Sequence, residues 1–135
     1  MALGEFNLFT WKSKEKLQKE QDEYAKWAFP YGQKQRDNLE ALLREVFPKT
    51  SVPLALIPFL TCKELYNDAL EKSGSREKAI HELSSKQINY KQIIKKKEMS
   101  TYIALVIADS EIDEQCEYPT ADAIRMSAQD LVSLR

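Results

Sequence analysis

Glycine, proline, cysteine and histidine are all scarce in this chain: three Gly, five Pro, two Cys and one His in 135 residues. A turn-rich β fold needs glycine and proline at frequent breaks, so the shortage favours helices. Cys62 and Cys116 are too few for a small secreted disulfide scaffold. A structural zinc site needs Cys or His pairs at short spacing, and neither cysteine nor His81 has such a neighbour. No apolar run approaches the roughly 20 residues that span a bilayer. Met1 to Trp11 has no basic residues ahead of an apolar core and carries Glu5, so no secretory leader is expected. There is no Gly-rich phosphate loop, nucleophile elbow or paired-carboxylate motif. These absences point to a cytoplasmic protein with reduced thiols, and to no cofactor or metal.

What is present suits one folded domain. The chain is 43% hydrophobic and 30% charged, which argues against disorder. Its net charge of −1 gives no bulk attraction to nucleic acid or membrane. The charge is uneven along the chain. Residues 1–100 hold 18 Lys/Arg and 14 Asp/Glu, a balance of +4, whereas 101–135 hold 2 and 7, a balance of −5. The simplest reading folds the acidic part against the basic part.

The longest uncharged apolar run is Thr101-Tyr102-Ile103-Ala104-Leu105-Val106-Ile107-Ala108. Such a run marks the centre of the core. Ile94, Met99, Tyr102, Ile103, Val106 and Ile107 fit one helical face, and no breaker interrupts the chain until Cys116-Glu117-Tyr118-Pro119. The spacing predicts a central helix over about 92–114, with a buried strand as the alternative. The fold class expected is all-α: a single-domain bundle of five to six helices around this element.

Around it, 13–28 reads as a polar helix with a narrow stripe at Leu17, Tyr24, Trp27 and Ala28, broken by Pro30. Gln33 to Phe47 carries Leu39, Leu42, Leu43, Val46 and Phe47 at helical spacing, and Pro48 ends it. Leu54 to Ile57, between Pro53 and Pro58, reads as a short helical turn packed into the core. Thr61 and Glu64 match a capping box that would start a new helix at Cys62. Gly74 and Ser75 are expected to end that helix and begin the next, which carries Ala79, Ile80 and Leu83 inward. Thr120 is expected to cap a last helix, 121–134, with Ile124, Ala128, Leu131 and Leu134 inward.

Residues 1–12 stand apart from the domain at 13–135 as an aromatic arm, or in part as sequence foreign to the natural chain. Phe6, Phe9, Trp11, Tyr24 and Trp27 are the interface candidates. The first three have no helical face of their own to join, and the stripe that holds the other two is too narrow to dock firmly alone. Together they suit a contact within the protein or between copies. The basic candidates are Lys86, Lys91, Lys95, Lys96 and Lys97 in the segment 76–97, which loosely resembles a helix-turn-helix. That segment lacks Arg after Arg76, and Arg is the commonest reader of base edges. His81, Cys62 and Cys116, with the acidic cluster Asp109, Glu111, Asp113, Glu114 and Glu117, are the residues an enzyme or metal site would use. Asp109, Glu111 and Asp113 have the spacing of a calcium loop, but Glu114 stands where that loop needs Gly. A solvated acidic helix end is the better reading. The leading function is non-enzymatic: protein–protein contacts, with a homodimer favoured, then a nucleic-acid-binding regulator, then an enzyme or metal protein.

Overall fold

The computed structural model describes Lys19, Asp22, Glu23, 25–85 and 98–133. The chain is an all-helical bundle, with no strand among the described residues. Its helices are α1 (Gln33–Val46), α2 (Val52–Ser73), α3 (Arg76–Ser85), α4 (Met99–Glu111) and α5 (Ala121–Ser133). Residues 25–28 ahead of α1 are also helical. The buried apolar side chains of these elements form one cluster.

The run at 101–108 is helical, and its strand alternative falls. Tyr102, Ile103, Ala104, Leu105 and Val106 are all buried, so α4 is covered over most of its circumference, with Thr101, Ile107 and Ala108 half-buried. It packs on α2, α3 and α5. The helix is shorter than expected at its end: Ile112 is extended (φ −70°, ψ 152°), so 112–114 leave the helix. The expected start at 92 lies outside the described residues.

α2 overturns two expectations. It runs unbroken for 22 residues through Pro58, where a break was expected. An interior proline costs a helix about 3 kcal/mol. Here Ala55, Leu56, Pro58, Phe59, Leu60 and Cys62 are buried on both sides of the ring, and that burial outweighs the lost hydrogen bond. Thr61 is therefore mid-helix and caps nothing. Its hydroxyl donates to the Ile57 carbonyl one turn back, at 3.0 Å. Nor is the segment 54–57 wholly packed: Ala55 and Leu56 are buried, but Leu54 and Ile57 are exposed.

Local signals hold elsewhere. α1 buries Leu39, Leu42, Leu43 and Val46, and it stops one residue short of Phe47, whose ring stacks on Tyr102 with centroids 5.0 Å apart. Gly74, with φ 69°, closes α2, and its amide donates to the Leu70 carbonyl at 2.7 Å. The Ser75 hydroxyl accepts from the Lys78 amide at 3.4 Å, and the Thr120 hydroxyl from the Ala123 amide at 3.2 Å. α5 buries Ala121, Ile124 and Ala128; Leu134 lies outside the described residues.

Candidate functional site

A polar cluster lies inside the bundle, where the C-terminal end of α4 meets α1 and α2. Its centre is Asp109, only 5% exposed. One carboxylate oxygen, Oδ2, pairs with Lys63 Nζ of α2 at 2.7 Å. The other, Oδ1, accepts from Gln35 Nε2 of α1 at 2.6 Å and from the Tyr118 hydroxyl of the α4–α5 connector. Asp109 was expected in a solvated acidic cluster, and this is a correction. Asp109 stands one turn after buried Leu105 and two after buried Tyr102, on a side of α4 that is covered along its length.

The partners arrive on apolar stripes in the same way. Gln35 precedes buried Leu39 by one turn on α1 and is itself 1% exposed. Lys63 follows buried Phe59 by one turn and precedes buried Tyr66 by three residues. A polar residue one turn from large apolar residues was thus the sequence signal for this cluster, and it was missed for all three helices.

Every member of the cluster has its partners. The Lys63 ammonium also donates to the Ala28 carbonyl and lies 5.5 Å from the Phe29 ring centroid, facing its π-surface. The Gln35 carbonyl oxygen accepts from the Tyr31 amide at 3.3 Å. Burial, and then the Asp109 charge, push the Tyr118 phenol well above its usual pKa. It therefore stays protonated at neutral pH and donates to Asp109. No buried side-chain nitrogen or oxygen among the described residues lacks a hydrogen-bond partner. Asn38 of α1 adds a bond to the same connector, donating to the Cys116 carbonyl at 2.7 Å. Carboxylate, ammonium and phenol are the parts of a proton relay, but here each is committed to holding helices together.

The other sequence candidates do not converge on this cluster. His81 is exposed on α3. Cys62 and Cys116 are both free and buried, and burial pushes the Cys62 thiol up to about 12. Among the described residues no three His, Cys, Asp or Glu side chains are grouped to hold a metal ion. Glu111 pairs with Arg76 of α3, one contact between the basic and acidic parts of the chain. Asp113 folds back locally, its carboxylate accepting from the Gln115 amide at 2.9 Å. Lys86, Lys91, Lys95, Lys96 and Lys97 lie outside the described residues, as do Phe6, Phe9, Trp11 and Tyr24. Trp27 is described and is 60% exposed.

Two open grooves are lined by described residues. One lies beside Phe29, Gly32 and Arg36, the other over α4 at Ala104, Ile107 and Ala108 between α3 and α5. Neither is lined by Asp109, Lys63, Gln35 or Tyr118. No helix of the described residues is long and apolar enough to cross a membrane. Comparison of the chain with protein-family models, with curated proteins and with solved structures finds no match.

Proposed function

We propose that this chain is a non-enzymatic helical protein that works through protein–protein contacts, with self-association into a homodimer as the leading case. The observation that carries the reading is a set of large apolar side chains that the folded helices leave exposed: Tyr31, Leu54, Ile57 and Met126. Trp27, 60% exposed beside the buried Ala28 and Phe29, adds to it. Trp and Tyr are enriched at the centres of protein interfaces. The sequence supplies matching material in Phe6, Phe9 and Trp11. Burying one such side chain contributes roughly 1.5–3 kcal/mol, so several together favour a docked arm. Two free, buried cysteines fit a reducing compartment, and the cytoplasm is the location proposed.

The test is the oligomeric state of the full chain and of a variant lacking residues 1–11. Light scattering is expected to give a dimer for the full chain and a shift towards monomer after deletion. Trp27 should then become more accessible to an aqueous quencher. A full-length protein that is monomeric at high micromolar concentration, with stability and Trp27 emission unchanged by the deletion, would rule out self-association through the arm.

A further inference from the structure

We propose that Asp109 is the register key of the bundle: it fixes the rotation of α4 about its own axis, and this is its role rather than adding stability. The argument begins with what α4 lacks. α1 and α5 each carry an apolar stripe on one side, and the stripe dictates which way each helix faces. α4 has no such instruction. Its buried residues include the unbroken run 102–106, and at about 100° per residue that run goes all the way round the helix. Thr101, Ile107 and Ala108 are only half-buried, a weak bias that leaves apolar burial nearly indifferent to turning α4 by one position. Such a turn would exchange Asp109 for Ala108 or Ser110 at the cluster.

Directional bonds break that indifference. Asp109 meets three partners on three separate elements: Lys63 on α2, Gln35 on α1 and Tyr118 on the connector. Only one rotation of α4 satisfies them together. The bond to Gln35 matters most for the architecture, because no Cα of α1 lies within 8 Å of a Cα of α4. Among the described residues these two helices are tied across that distance by side chains, at 2.6 Å. A buried ion pair is weak evidence for stability, since desolvation offsets most of its attraction, and its best-attested use elsewhere is the choice of one register over others.

The test replaces the key in two ways in the full chain. The apolar variant combines Gln35→Leu, Lys63→Met, Asp109→Leu and Tyr118→Phe. It is expected to keep its far-UV helical signal and a urea midpoint at or above that of the parent. Its near-UV dichroism should weaken, and its amide NMR spectrum should show multiple or broadened sets of peaks. The neutral variant combines Lys63→Gln with Asp109→Asn, which keeps donors and acceptors in place without charge. It is expected to give one sharp set of amide peaks. An apolar variant with one well-dispersed set of peaks overturns the proposal, because packing would then set the register unaided. Should the apolar variant not fold, the neutral variant decides: one set of peaks supports the key, and multiple or broadened sets overturn it.

Discussion

The Asn38 side-chain amide holds the Cys116 carbonyl at 2.7 Å, and Cys116 is the one non-glycine with positive φ (56°) among the described residues. The bond secures a backbone conformation that L-residues seldom adopt, in the connector that leads from α4 to α5. Removing one partner of a part-buried hydrogen bond leaves the other unsatisfied, at a cost of about 1–3 kcal/mol. Asn38→Ala is therefore expected to lower unfolding free energy by about that amount in urea titration. Asn38→Asp keeps an oxygen but not the donor, and it should be no better than Ala. A wild-type midpoint for both variants would show that the connector is held without Asn38.

The two ion pairs of α4 should behave very differently. Asp109 and Lys63 are nearly enclosed, with side chains 2% and 13% exposed, whereas Arg76 and Glu111 are 49% and 56% exposed. Asp109→Ala strands a buried ammonium and is expected to cost about 3–5 kcal/mol. Arg76→Ala disturbs only a solvent-screened pair and should cost less than about 1 kcal/mol. Denaturant midpoints of the two variants check the contrast, and equal losses would refute it.

Cys62 gives a pH signature. Its thiol is raised from 9.0 to about 12 in the folded protein by burial. The unfolded chain therefore loses this proton first. The stability linked to Cys62 is complete below about pH 9 and falls as pH rises from there to about 12. Tyr66, Tyr102 and Tyr118 are raised in the same direction, chiefly by burial, and steepen the alkaline fall above the ordinary tyrosine range. At pH 8 a thiol reagent should label Cys62 only as fast as the protein opens, and added urea should accelerate labelling. Rapid labelling of native Cys62 would contradict its burial.

Gly74 isolates a backbone effect. Its φ is +69°, and a Cβ placed there meets nothing within 4 Å. Gly74→Ala therefore costs only the left-handed conformation, about 1–2 kcal/mol. Asn tolerates that region better, so Gly74→Asn should fall between Gly and Ala in thermal melts. Equal melting of all three would mean that the α2–α3 junction adapts to the side chain.

Much of this architecture follows from local rules that need no tertiary information. The stripe of α1, its stop before Pro48 and the Gly74 and Thr120 caps all depend on residues within a turn or two of one another. The run 101–108 suited a helix or a buried strand, and it is a helix packed on α2, α3 and α5. Tertiary structure decided the rest wherever burial competes with a local preference. Pro58 and Thr61 carry break and cap signals that the neighbouring buried residues of α2 override, because the area removed from water outweighs one missing hydrogen bond. Asp109 belongs, on sequence, with the acidic residues that follow it. It is buried because three partners 46, 74 and 9 positions away in the chain meet at its carboxylate. No pattern within one helix shows that meeting. The sequence marks Gln35, Lys63 and Asp109 only as polar residues one turn from apolar ones, and the packing of α1, α2 and α4 makes them one cluster.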